Sequence, residues 1–137
     1  MRRFLWVIPL ALFVVADVAL DAAVSDNSTT LHHPRPLPML LPVLLLSVLL
    51  WRTSYQLGAA GRIGAAIVLA GAAANAACSV VDREGVADYI YVVHGDTALV
   101  INIADVVIVS GFLVCLGAAT VIWTMRAWRL ARPSAGS

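Results

Sequence analysis

The sequence predicts an all-α integral membrane protein of four transmembrane helices with both termini in the cytoplasm. Three observations carry that expectation. Of the 137 residues 61% are hydrophobic and only 12% charged, with no Lys and a mean hydropathy of +0.91, the profile of a polytopic membrane protein rather than of a soluble core. A spanning helix needs about 20 apolar residues, and four stretches approach that length: Phe4 to Val24, Leu37 to Trp51, Ile63 to Val81 and Leu99 to Met125. The arginines supply the third observation. In a four-span bundle Arg2, Arg3, Arg52, Arg62, Arg126, Arg129 and Arg132 fall on one side and only Arg35 and Arg83 on the other, which makes the arginine-rich side cytoplasmic. Trp6, Trp51, Trp123 and Trp128 lie at the same ends, as an interfacial aromatic belt requires. The formal charge of +1 conceals this polarity, and nothing in it suggests nucleic-acid binding. The spans form one domain over residues 1–132, followed by a short disordered tail at 133–137.

The first span, FLWVIPLALFVVADVALDAAV, follows a basic Met-Arg-Arg start and ends near small residues, features shared with cleavable signal peptides. Asp17 and Asp21 interrupt the smooth apolar stretch that a signal would have, so a retained span is expected. Spaced four apart, the two acids share one helix face. Asp17 is expected to point into the bundle, and Asp21 to mark the membrane surface. The loop SDNSTTLHHPRP carries His32 and His33. Without further ligands at metal spacing, and with extended neighbours pointing apart, they read as solvated rather than as a metal site. The second span is short, has Pro38 and Pro42 near its start, and carries no chemistry of its own. The third, IGAAIVLAGAAANAACSVV, is rich in Gly and Ala, which lets helices approach closely in lipid. Asn75, Ser79 and Asp82 recur at i, i+4 and i+7 and form a polar stripe on one face. Such a stripe serves either a site or the gluing of helices. Cys78 and Cys115 sit at different depths and read as small fillers rather than as a disulfide pair.

The chemistry concentrates between Val80 and Ile108, where five of the eight acidic residues lie: Asp82, Glu84, Asp88, Asp96 and Asp105. Carboxylates at membrane depth are functional candidates. Asp88 stands where a loop returns to an apolar segment, and Asp105 lies just inside the following apolar run, with Asn102 ahead of it at helical spacing. Asp96, in His-Gly-Asp-Thr, reads as a solvated turn residue. Two carboxylates brought together at the outer face would share one proton, so that one activates water and the other donates to a carbonyl oxygen.

The order of these elements resembles the C-terminal half of signal peptidase II, the lipoprotein signal peptidase. Asp82-Arg83 resembles the family's Asp-Arg pair, Ala87-Asp88-Tyr89 its first catalytic motif, and Asn102-Ile103-Ala104-Asp105 its second, Asn-x-Ala-Asp. The resemblance implies a four-helix membrane aspartic endopeptidase without metal or other cofactor. It would cleave diacylglyceryl-modified prolipoproteins just before the lipidated cysteine, at the outer face of the cytoplasmic membrane, with the lipid lying between helices in the bilayer. It implies Asp88 and Asp105 as the catalytic pair and Asn102 as the residue that positions Asp105. Arg83, with Asn75 or Ser79, would orient the substrate backbone, and Asp17 resembles an Asp of the family's first helix. The chain also departs from the pattern. Asp21 stands where the family has Lys, Ser79 where Asn is expected, and the external segment between the first two spans is short and lacks the motif that cradles substrate. These departures leave two other functions open: a non-catalytic relative that binds lipopeptides or a membrane partner, and a small transporter with Asp17, Asp88 and Asp105 as a proton relay. The clustering of the acids near one face favours surface chemistry over a relay.

Overall fold

The computed structural model describes residues 7–25, 31–33, 37–81, 86–95 and 97–131. The described chain is mostly helical: α1 (Val7–Ser25), α2 (Leu37–Thr53), α3 (Gly58–Val81) and α4 (Ile103–Ala131), with a 3-10 turn at Ser54–Leu57 between α2 and α3. Gly58 has a positive φ, +69°, at that junction, where a Cβ would be strained. The α2–α3 stretch Leu40–Val81 and helix α4 are long and apolar enough to cross a membrane. Large apolar side chains such as Leu45, Leu46, Phe112, Leu113 and Leu116 are exposed, as expected of helices whose outer faces meet lipid rather than water.

Helix α3 is the hub and packs against α4, α2 and α1. Its contact with α4 follows the small residues. A Cβ on Gly64 would lie 2.7 Å from the Gly111 oxygen and 2.8 Å from Cys115 Sγ, and one on Gly71 would lie 2.7 Å from the Ala104 oxygen. Residues 64, 68 and 71 of α3 and 104, 108, 111 and 115 of α4 therefore meet along a seam with alternating steps of four and three, the spacing of left-handed helix packing. As α3 climbs from Gly64 to Gly71, its neighbours on α4 descend from Cys115 to Ala104, so the two helices are antiparallel. Cys78 meets Asp17 of α1, and Ala87, just beyond α3, meets Asp21. The ends of α1 and α3 and the head of α4 thus gather at one end of the bundle.

The connections at that end contain strands, which the all-α expectation did not include. β1 (Leu31–His33) pairs antiparallel with β2 (Val86–Asp88), with Leu31 opposite Asp88 and His32 opposite Ala87. β3 (Ile90–His94) and β4 (Thr97–Ile101) form a hairpin in which His94 pairs with Thr97. Gly95 has φ +59° in the two-residue loop, the backbone such tight hairpin turns require. The fourth helix consequently begins at Ile103 rather than Leu99. An apolar run cannot by itself distinguish a strand from a buried helix segment. Here β-branched residues on both arms and the Gly95 turn favour pairing. The histidine loop departs from expectation in the same way: His32 and His33 lie in β1, because the buried backbone of β2 needs a partner strand.

Candidate active site

Asp105 lies in the first turn of α4, and the motif around it is a helix cap. Asn102 Oδ1 accepts the N–H of Asp105 at 2.9 Å, the bond by which an N-cap side chain satisfies one of the free donors of a helix start. The same amide continues the network: Asn102 Nδ2 donates to Asn75 Oδ1 at 2.8 Å, and Asn75 Nδ2 donates to Asp105 Oδ1 at 2.9 Å. Asn75 and Asn102 are both buried, 3% and 2% exposed. Asn75 occupies the outermost polar step of the α3–α4 seam, so the packing that brings Gly71 onto Ala104 also brings the amide onto the carboxylate. Asn102 therefore orients Asp105 through its backbone and through Asn75, whose side chain donates to the carboxylate. The oxygen of Asn75 and one of its amide hydrogens are engaged within the protein. Ser79 Oγ donates to the Asn75 carbonyl at 2.9 Å, one turn back on its own helix.

Asp88 ends β2 and is 2% exposed. Val86 and Ala87 beside it are also fully buried. The backbone on its far side is tied to the strand that leads into α4, since the Tyr89 N–H donates to the Ile101 carbonyl at 3.2 Å. Asp88 thus sits one residue from a bridge to Ile101, and Asp105 lies four residues beyond Ile101. Tyr89 adds a second tie, its hydroxyl accepting the N–H of Ile103 at 3.4 Å. Burial pushes the Tyr89 phenol above its ordinary value, the Ile103 N–H acts in the opposite sense, and the nearby carboxylates of Asp17 and Asp21 add to the rise. Tyr89 is therefore a neutral phenol at physiological pH. In the sequence Tyr89 stands out only as the residue after Asp88 in the motif Ala87-Asp88-Tyr89, with no role of its own.

The two acids of α1 are both buried. Asp17 Oδ2 accepts from the Cys78 thiol at 3.8 Å, Oδ1 has no hydrogen-bond partner among the described residues, and the carboxylate lies within electrostatic reach of Asp21 and Asp105. Asp21 differs from the expected surface marker: it turns inward, and its Oδ1 accepts the Ala87 N–H at 2.9 Å. Helical spacing put the two acids on one face, but the strand donor that draws Asp21 inward is 66 residues away and leaves no local trace. Cys78, read as a filler, faces both carboxylates. Cys115 donates to the Gly61 carbonyl further down the α3–α4 seam, and both thiols are free. Arg83, Asp82 and Asp96 lie outside the described residues.

The residues gathered at this end are thus two aspartates on adjoining backbone segments, an asparagine pair holding one of them, and two further buried carboxylates behind. No curated protein and no solved structure matches the chain. A family model described as signal peptidase (SPase) II matches residues 22–122, a span that takes in both motif aspartates, Asn75 and Asn102. With the match extending over well more than half of its length, the chain belongs to the signal peptidase II family, membrane-embedded aspartic proteases that process lipoprotein signal peptides.

Proposed function

We propose that this protein is an aspartic endopeptidase that removes signal peptides from diacylglyceryl-modified prolipoproteins at the outer face of the cytoplasmic membrane, with Asp88 and Asp105 as its catalytic pair. The observation that carries the reading is the clamp on Asp105. An asparagine from α3 and the cap of α4 hold one carboxylate in a set orientation, at the end of the bundle where β2 presents Asp88. Fixed orientation of reacting groups is worth several orders of magnitude in rate, and the asparagine pair ends on the Asp105 carboxylate.

The chemistry follows from two carboxyls that share one proton, separated by about one water. The ionised member takes a proton from that water as its oxygen bonds to the scissile carbonyl carbon. The protonated member gives its proton to the carbonyl oxygen, producing a neutral tetrahedral diol. On collapse the C–N bond breaks, the leaving amine takes a proton from the first carboxyl, and the second recovers its own from the diol hydroxyl, which restores the starting state. The diacylglyceryl chains occupy the bilayer between helices, which sets the scissile bond at the depth of the dyad. All four helices span the membrane with both termini cytoplasmic. The antiparallel packing of α3 on α4 and the shared end of α1 and α3 support that arrangement, as does the distribution of arginines. Arg83, Ser79 and Asp17 are assigned to the substrate side of the site.

The test is a gel-shift assay with purified protein in detergent and a lipidated prolipoprotein. The proposal expects a product shorter by the signal peptide. Binding of the lipopeptide without any cleavage would establish the non-catalytic relative instead.

A further inference from the structure

We propose that Asp21 is a positioning residue for the reaction: by holding the Ala87 N–H it fixes the strand that carries Asp88. The inference rests on the assignment of Asp88 to the catalytic pair. β2 is only three residues long, and Val86, Ala87 and Asp88 are all buried. One edge of it pairs with β1. The Ala87 N–H points the other way and is taken by Asp21 Oδ1 at 2.9 Å. A buried backbone donor needs such a partner, and among the described residues no strand lies on that side to supply it. A carboxylate gives a shorter and stronger bond than a neutral acceptor. Asp21 itself is only 5% exposed, so its oxygen is set by the packing of α1 on α3 rather than by solvent.

The consequence is geometric. Ala87 and Asp88 share a peptide unit, so their Cα atoms are about 3.8 Å apart. Asp88 is then held by β1 along one edge of β2, by α1 through Ala87 along the other, and by β4 through the Tyr89–Ile101 bridge. Releasing the α1 anchor lets β2 shift on the remaining two and carries the Asp88 carboxyl away from Asp105. Asp21 lies just ahead of the residues that match the family model.

Three forms of the full chain in detergent, wild type, Asp21→Ala and Asp21→Asn, test this against a lipidated prolipoprotein. Asp21→Ala is expected to lower kcat by about 10- to 100-fold, the scale of a misplacement of roughly 1 Å, while KM stays within about threefold. Asp21→Asn keeps an acceptor oxygen for Ala87 and turns its amide toward the acids of α1, where Asp17 Oδ1 has no partner among the described residues. It is expected to recover most of kcat. An Asp21→Ala enzyme within about twofold of wild type, a change in KM alone, or an Asn variant as impaired as the Ala variant would each overturn the proposal. Amide exchange at Ala87 gives a readout independent of turnover, with faster exchange expected in Asp21→Ala only. If wild type does not cleave, the assignment of Asp88 fails, and the exchange rate still decides the anchor: unchanged exchange at Ala87 in Asp21→Ala means that there is none.

Discussion

Replacing Asn75 with Ala should disable the site without dismantling the bundle, and the structure sets the scale of both effects. The substitution deletes the donor to Asp105 Oδ1 and the acceptor for Asn102 Nδ2, at 2.9 and 2.8 Å. In water a hydrogen bond to a charged group contributes about 1.5–3 kcal/mol, and a buried amide left unpaired costs about 1–3 kcal/mol. Between helices in a bilayer such bonds average only about 0.6 kcal/mol, because the separated helices also find partners. The site lies at the end of the seam, between these regimes, so a stability loss of about 2 kcal/mol is expected, less than the stability of an ordinary domain. Catalysis is more sensitive. Asp105 keeps its backbone cap from Asn102 but loses the contact that sets its carboxyl plane, and kcat should fall by about 10- to 100-fold. Single-turnover cleavage and thermal unfolding in detergent measure the two effects separately. The decisive comparison is a double-mutant cycle with Asn102→Ala. Because one amide acts through the other, the double variant should lose much less activity than the product of the two single losses. Fully multiplicative losses, or an Asn75→Ala enzyme with wild-type kcat, would refute the relay.

Substitutions and fusions elsewhere in the chain have expected outcomes as well. Asp88→Asn and Asp105→Asn should each abolish cleavage with nearly intact folding, because an amide cannot share and transfer the proton. In the same gel-shift assay Asp96→Asn should change little, and Arg83→Ala should leave residual turnover. Gly71→Val should destabilise the bundle by about 1–3 kcal/mol or more and lower activity, since its Cβ would meet the Ala104 oxygen at 2.7 Å, backbone that cannot rotate away. Gly117→Ala, with nothing within 4 Å of its Cβ, should stay within about 1 kcal/mol of wild type by thermal unfolding. Reporter fusions near Thr30 and Asp96 should read as external and one at the C-terminus as cytoplasmic; an external C-terminus would refute the topology.

Much of this protein was legible along the chain because the relevant physics is local or periodic. Long apolar runs marked all four helices, because every backbone group in lipid must be satisfied within its own segment and a helix does so, but not all their ends: α3 begins five residues before Ile63, and α4 begins four after Leu99 and ends six after Met125. Asn102 and Asp105 could be placed together because a cap and the third residue of its helix are always neighbours. The Gly- and Ala-rich third span announced close packing, since only small side chains let two backbones meet as Gly64 and Gly111 do. Tertiary structure decided the rest. The sequence places the stretch before Leu99 in a loop and Leu99 to Ile101 at the head of the fourth helix, and only pairing with β1 and across the Gly95 turn made Val86 to Ile101 largely strand. The polar stripe on α3 left open whether Asn75 served substrate or helix, until the α3–α4 seam set it on Asp105. Asp21 looked like a boundary marker because an aspartate at a helix end is ordinarily solvated. Its role depends on a backbone donor 66 residues away, and a hydrogen bond to an amide carries no side-chain signature by which the sequence could have named its partner.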